Sequence, residues 1–203
     1  MALASYTDLL ASVASFLHRS DITAVIPDFV TLCEANLNRD LRCSQMETSA
    51  TLTVSGDTAT LPADFLEVRQ ILTDASPPKA LTYVAPDDWA RYGQQAGTTR
   101  VYTIMGDRVR FAESHTAAPT LLYYAKIPAL VSAVGGVNWL LTAHPDAYLY
   151  GTLQASAPFI GNDARLATWS SLYTNTLLAI RGTDKRRKLG SGLQVRPTVQ
   201  IGA

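Results

Sequence analysis

Apolar side chains near the start of the chain recur every three or four residues, and this period predicts two α-helices. The first apolar stripe covers Tyr6–Leu17, and Ser5 precedes it with an acid three residues later, the spacing of a capping box. The second stripe covers Ile22–Leu37 and is interrupted by Pro27. Proline suits the first turn of a helix and breaks its interior. We therefore expect a helix that starts near Pro27 or is kinked there, and that ends near Leu41.

The apolar positions then change to a period of two, which predicts a β-rich region from about residue 48 to residue 128. Ser55–Asp57 has turn chemistry and separates two segments that can pair as a hairpin. A second hairpin turns at or beside Met105–Arg108, and Pro86 begins a short helix. The predicted strands are Thr51–Val54, Thr58–Leu61, Phe65–Leu72, Leu81–Val84, the two arms of Arg100–Phe111, and Thr120–Tyr124.

The helical period returns near residue 144 and predicts two more helices. Pro145 lies at the first helical position of one of them, where a missing N–H costs nothing, and this helix ends at Gly161-Asn162. Gly151 and its small neighbours allow another helix to approach closely. The last helix carries an apolar stripe and should end at Gly182. The stripe comprises Leu166, Trp169, Tyr173, Leu177 and Ile180.

The final stretch, Lys185–Ala203, has no helical period and is expected to be extended. The pattern as a whole predicts an α+β protein with a four-helix core, an inserted small antiparallel β subdomain and an extended C-terminal tail. The expected boundaries are residues 1–182 for a single domain, about 5–42 and 144–182 for its helices, about 48–128 for the β-rich insertion, and 183–203 for the extended basic tail.

Charged residues make up only 17% of the chain, against a usual share of about a quarter, and hydrophobic residues make up 47%. Two interpretations are open: an ordinary soluble domain with one core, or a protein whose surface is partly covered by other subunits. The N-terminus lacks the basic region of a signal peptide, and no apolar run approaches the length of a membrane span. We therefore expect no membrane partner.

Charge is unevenly distributed although the formal net charge is zero. From Arg181 onward there are six basic residues and one acidic residue, a balance of +5, so residues 1–180 carry −5. The run Lys185–Lys188 is the strongest charge feature. Three interpretations are open for it: a solvated end, phosphate contacts with nucleic acid, or docking onto an acidic protein surface.

No set of residues has the spacing of a catalytic or metal site, so we expect no enzymatic activity, no cofactor and no metal. The three histidines, His18, His115 and His144, lie in separate contexts, and none is spaced with another histidine or a cysteine as metal ligands are. Cys33 and Cys43 would be about 15 Å apart on one helix, which is too far for a disulfide. Two free thiols fit a reduced compartment.

Five segments stand in an order and spacing that indicate a family. They read D-L-x3-V-x-x-F-L-H-R-S-D from Asp8, L-P-A-D-F-L-E-V-R from Leu61, Y-Y-A-K-I-P-A-L from Tyr123, N-W-L-L-x3-P-D-x-Y-L-Y from Asn138, and D-x-R-x3-W from Asp163. Together they span about residues 6–180 and resemble the adaptor proteins that join the portal to the tail in tailed bacteriophages. None of the five carries chemistry, which agrees with a structural role.

The resemblance implies a structural virion protein at the head–tail junction, made in the host cytoplasm. Such an adaptor would form a ring of twelve copies beneath the portal, with its sheet projecting from a ring of helices. It would bind the portal protein above and tail or nozzle proteins below, and DNA would pass through its channel, without sequence-specific binding, during genome ejection. The tail residues expected to bind the portal and neighbouring subunits are Lys185, Arg186, Arg187, Lys188, Leu189, Leu193, Val195, Arg196, Val199 and Ile201.

The alternative is a small DNA-binding or regulatory protein that acts through its basic C-terminal tail. A basic body would support that interpretation, whereas residues 1–180 are acidic overall. A steep dependence of DNA affinity on salt concentration would favour it.

Overall fold

A computed structural model describes residues 3–19, 21–92, 101–112, 118–161 and 164–189. The chain divides into two compact units. The helical unit combines Met1–Gln45 with Ile127–Ala203, and the β unit is Met46–Lys126. A β-rich segment inserted between two helical segments confirms the α+β class that the sequence predicts.

The described residues contain seven α-helices and three short 3₁₀ segments. The helices are α1 (Tyr6–Leu17), α2 (Ile26–Asp40), α3 (Trp89–Tyr92), α4 (Trp139–Ala143), α5 (Pro145–Ala155), α6 (Ala157–Ile160) and α7 (Leu166–Leu189). The 3₁₀ segments are Ser44–Met46, Pro86–Asp88 and Val134–Gly136.

Eight strands occur in the described residues, all of them in the β unit. They are β1 (Glu47–Thr51), β2 (Val54–Ser55), β3 (Thr58–Thr60), β4 (Phe65–Leu72), β5 (Thr82–Tyr83), β6 (Val101–Met105), β7 (Arg108–Phe111) and β8 (Thr120–Ala125). The sequence predicts most of these positions to within a few residues.

The first two helices begin and end as their sequence predicts. The Ser5 hydroxyl oxygen accepts a hydrogen bond from the Asp8 backbone N–H at 3.2 Å and so caps α1. Helix α1 ends at His18, whose backbone is left-handed at φ 53. Helix α2 begins at Ile26 with Pro27 in its first turn, where no N–H is needed. The interruption by Pro27 is therefore a helix start.

Helix α5 lies at the centre of the helical unit, where it packs against α1, α2, α4 and α7. Gly151 on α5 allows both α2 and α7 to pack closely against α5. A Cβ atom on Gly151 would lie 2.5 Å from the Cys33 Sγ and 2.9 Å from the Tyr173 Cε2, both closer than packed atoms come. The prediction that small residues on this helix admit a neighbouring helix is confirmed.

The described residues of the β unit form two sheets, where the sequence predicts one small antiparallel sheet. In sheet 1 the strand order is β1-β8-β4, and in sheet 2 it is β2-β3-β7-β6-β5. All pairings are antiparallel except that of β5 with β6, which is parallel. The prediction of a wholly antiparallel subdomain is therefore wrong at β5.

The predicted hairpin of Thr51–Val54 with Thr58–Leu61 is only partly present. Strand β1 pairs with β8, and only Val54-Ser55 pairs with Thr58-Ala59. Leu52 lies between the two strands, is 2% exposed, and donates its N–H to the Pro119 oxygen at 2.9 Å. The chain thus passes from sheet 1 to sheet 2 at Leu52, and the alternating pattern continues through the crossing because Leu52 is buried in the core.

Candidate functional site

Helix α7 carries the basic residues that the sequence selects as a binding surface. Its apolar stripe packs towards α5, as predicted: Trp169, Tyr173, Leu177 and Ile180 are buried. This packing fixes the helix in the unit and determines where its C-terminal end lies.

The predicted helix end at Gly182 is wrong, because α7 continues to Leu189. Glycine in a helix interior costs only about 1 kcal/mol relative to alanine. Tertiary contacts of the next turn outweigh that cost. The Asp184 carboxylate accepts a hydrogen bond from the Ser44 backbone N–H at 2.7 Å, and a second from the Ser44 hydroxyl. Basic side chains in the last turn also interact favourably with the helix dipole.

Asp184 also forms an ion pair with Lys188, whose Nζ lies 2.9 Å from its carboxylate. The Asp184 side chain is 10% exposed. Burial by itself would raise the pKa of Asp184, but the hydrogen bonds from Ser44 and the ammonium of Lys188 outweigh it and lower the pKa. We call this contact of Asp184 with Ser44 and Lys188 the α7 latch.

The four basic residues Lys185, Arg186, Arg187 and Lys188 lie together on the last turns of α7. Lys188 is engaged in the α7 latch, whereas Lys185, Arg186 and Arg187 are exposed. The structure therefore places three positive side chains around the exposed end of one helix. An arrangement of this kind can bind an acidic surface or phosphate groups.

The other predicted contact residues are only partly described. Leu189 is the last residue of α7. Leu193, Val195, Arg196, Val199 and Ile201 lie outside the described residues, as do Ser20, Asn162, His115 and Gly93–Arg100.

The N-W-L-L-x3-P-D-x-Y segment has a structural explanation. The Asn138 side chain caps α4 by accepting the Leu141 N–H at 2.9 Å. Its amide nitrogen donates to the Pro128 oxygen and to the Tyr148 hydroxyl, both at 2.7 Å. Asp146 accepts the Thr176 hydroxyl at 2.9 Å and so joins α5 to α7. The segment holds the helical unit together.

A buried carboxylate completes this network. Glu34 on α2 accepts the Leu130 N–H at 2.8 Å and the Tyr148 hydroxyl at 3.5 Å. Burial raises the pKa of Glu34, and these two hydrogen bonds only partly oppose the shift. Burial likewise raises the pKa of the neighbouring Cys33 thiol to about 12, so this cysteine is unreactive. Cys33 and Cys43 are both buried. They are not joined in a disulfide, as their spacing predicts.

An open cleft of about 450 Å³ lies where the end of α1 meets the start of α7. The Arg165 guanidinium is 5.0 Å from the Trp169 ring centre and donates to the Phe16 oxygen at 2.9 Å. Phe16 is 42% exposed at its edge. Sequence analysis missed this cleft, although the spacing of Arg165 and Trp169, four residues apart on a helix, is a usable signal.

The described residues contain no group of three or more histidine, cysteine or acidic side chains that could hold a metal ion. His18 and His144 lie at helix ends, the positions expected of them. No helix among the described residues is both long and apolar enough to span a membrane.

Comparison with known families agrees with the resemblance in the sequence. The family model described as SU10 adaptor protein matches residues 4–196. The chain belongs to this family of phage head-to-tail adaptors, and its role is that of a structural virion protein. A search of curated proteins gave no match.

Proposed function

We propose that the chain forms a ring of twelve copies beneath the phage portal and joins the portal to the tail or nozzle proteins. In this proposal the four-helix core of α1, α2, α5 and α7 builds the ring, the β-rich insertion faces the tail or the outside, and DNA passes through the channel during ejection without sequence-specific contacts. The family match over residues 4–196 carries the proposal.

The basic end of α7 and the residues after it form the element that binds the portal and neighbouring subunits in this proposal. Lys185, Arg186 and Arg187 are exposed on a helix whose position the α7 latch secures. Ordering the segment 190–203 on a partner costs conformational entropy. Charge pairing by the three cations with an acidic partner offsets part of that cost. Apolar contacts by Leu193, Val195, Val199 and Ile201 with the portal or a neighbouring subunit offset the rest.

Binding to DNA through the same cations is the alternative, and the exposure of Lys185, Arg186 and Arg187 is compatible with it. The −5 charge of residues 1–180 opposes it, because a DNA-binding body gains affinity from its own positive charge. We therefore favour a protein partner.

The test is the mass of the complex that the protein forms alone and with portal rings of the same phage. Three proteins are compared: the full chain, a variant ending at Leu189, and a variant with Lys185, Arg186 and Arg187 changed to Gln. The end at Leu189 leaves the α7 latch complete. A matched control changes three exposed cations of the β unit, Lys79, Arg91 and Arg108, to Gln.

We expect the full chain and the control to join the portal as a ring, and both α7 variants to bind at least about tenfold more weakly. The Gln variant loses three charge-assisted contacts, and the shortened variant loses Arg196 and the apolar contacts of the segment 190–203. Equal binding by all four proteins would mean that the basic end of α7 does not contact the portal. A full chain that ignores portals and binds DNA with a steep salt dependence would replace the adaptor proposal with the DNA-binding one.

A further inference from the structure

The C-terminal segment has a β-strand pattern. Residues 193–201 alternate apolar and polar side chains without exception. The apolar members are Leu193, Val195, Pro197, Val199 and Ile201, and the polar members are Gln194, Arg196, Thr198 and Gln200. Alternation over nine residues is the period of a strand. A single strand makes no ladder hydrogen bonds by itself, so this segment needs the edge of a sheet.

Strand β1 offers such an edge. It is the outer strand of sheet 1 and pairs, among the described residues, with β8 alone. The Leu52 N–H bonds to the Pro119 oxygen, which fixes the alternation of the ladder. Thr48 and Ala50 therefore direct their backbone groups to β8. Ser49 and Thr51 direct theirs to the outer edge.

The other edges of the two sheets are protected. Strand β4 has two register shifts, and the Leu81 N–H covers its far end by donating to the Ile71 oxygen at 2.8 Å. Strands β2 and β5 are two residues long each. Edge strands are usually protected from pairing with another chain by a bulge, by a covering segment or by being very short. Strand β1 has five residues, no proline, no lysine and no register shift.

We propose that residues 193–201 of one copy add as an antiparallel strand to the β1 edge of a neighbouring copy. Pro197 has no N–H and cannot donate a ladder hydrogen bond. The backbone groups of the odd-numbered residues therefore face away from β1. The even-numbered residues, Thr198 among them, then make the backbone hydrogen bonds, opposite Ser49 and Thr51.

A second constraint gives the same register. The odd-numbered, apolar residues of the segment lie opposite Thr48 and Ala50, and directly opposite residues share one face of a sheet. Ala50 packs against the core of the β unit, and its partner on β8, Leu121, is fully buried. The proline and the apolar side chains therefore require the same orientation, in which the added strand extends the core.

The antiparallel direction follows from the sheet itself. Both pairings of sheet 1 are antiparallel, and antiparallel ladders are slightly more stable per residue than parallel ones. The ring of the proposed function places identical copies side by side, so the β1 edge of one copy can receive residues 193–201 of the next.

Disulfide cross-linking between two full-length variants tests the pairing. One protein carries Thr48→Cys or Ser49→Cys, and the other carries a cysteine at one tail position from 194 to 200. Cys33 and Cys43 are fully buried and do not compete. Thr48→Cys should cross-link to odd-numbered tail positions and Ser49→Cys to even-numbered ones, with and without portal rings. Cross-links without this parity, or only within one chain, would overturn the proposal.

A pair of proline variants provides the matched control. Thr198→Pro removes an N–H that faces β1 and should reduce the cross-linked fraction about tenfold. Val199→Pro removes an N–H that faces away from β1 and should change the cross-linked fraction less than about threefold. Equal effects of the two would also overturn the pairing. The inference rests on the proposed ring, because the ring supplies the neighbour. Portal binding of the same variants is measured separately, so loss of the pairing is distinguished from loss of the adaptor function.

Discussion

The centre of the helical unit and the end of α7 each contain a carboxylate that accepts two or more hydrogen bonds, yet the two pKa shifts are opposite. Glu34 lies among neutral donors, and burial raises its pKa. At Asp184 burial acts in the same direction, but hydrogen bonds from Ser44 and the charge of Lys188 prevail and lower the pKa. The first carboxylate therefore serves as an acceptor, and the second depends on its charge.

This difference separates what builds the fold from what presents the binding surface. The network of Glu34, Asn138 and Tyr148 is buried and joins α2, α4 and α5. The α7 latch joins α7 to the segment after α2 and orients the exposed cations. Substitutions at the centre should reduce stability, whereas substitutions at the latch should mainly release the helix end.

The largest effect is expected for Glu34→Leu. It leaves the buried Leu130 N–H without its acceptor and should lower the free energy of unfolding by about 2–4 kcal/mol. Glu34→Gln keeps an acceptor oxygen and should change it by less than about 1 kcal/mol at neutral pH. Urea unfolding followed by circular dichroism at 222 nm measures both. Equal losses would mean that the charge of Glu34 matters more than its acceptor role.

Substitution of two helix-interior glycines by alanine should change the free energy of unfolding in opposite directions. Gly151→Ala forces the new Cβ onto Cys33 and Tyr173 and should cost about 1–3 kcal/mol. Gly182→Ala has open space around it and should stabilise by up to about 1 kcal/mol.

The same unfolding experiment, with the double variant Gly151→Ala/Cys33→Ala, provides the control for this pair. Removing the Cys33 sulfur should recover part of the loss, because that atom is the nearer of the two clashes. If Gly151→Ala were as stabilising as Gly182→Ala, the close packing around α5 would be refuted.

Sequence patterns predicted the elements whose cause is local. The stripe of α7, the start of α2 at Pro27 and the long strand β4 follow from period and turn chemistry. The true end of α7 could not be predicted, because Ser44, which binds Asp184, is 140 residues away in the chain. The division into two sheets was missed for a similar reason: it depends on Leu52 contacting Pro119 and on β1 pairing with β8, both distant in sequence.

The sequence identified the residues of the candidate site but not their conformation or their contacts. The run Lys185–Lys188 stands out by charge alone, but its helical conformation and the use of Lys188 in the latch depend on tertiary contacts. The cleft of Phe16, Arg165 and Trp169 was missed because Phe16 lies 149 residues from Arg165 in the chain, so the local spacing of Arg165 and Trp169 indicates only part of it.

A smaller effect is expected at the latch. Asp184→Ala should lower the free energy of unfolding by about 1–2 kcal/mol, the size of one or two lost hydrogen bonds to a charged group. Its distinctive result is local: amide hydrogen exchange should accelerate in the last turns of α7 and not in α5. Lys185→Gln, which changes an exposed side chain, is the control and should leave exchange unchanged. Acceleration in both helices would mean that the latch supports the whole unit.

The smallest effect is a pH dependence that differs between the two carboxylates. The pKa of Glu34 is raised above its ordinary 4.5, so the native state binds more protons than the unfolded one above that pH, and stability falls as pH rises through this window. The pKa of Asp184 is lowered below its ordinary 3.8, so stability is lost as pH falls below that value. Glu34→Gln should flatten the stability curve above pH 4.5 only, and Asp184→Asn below pH 3.8 only, in urea unfolding at closely spaced pH values. If either variant flattened both windows, the two carboxylates would be coupled and the contrast between centre and end would fail.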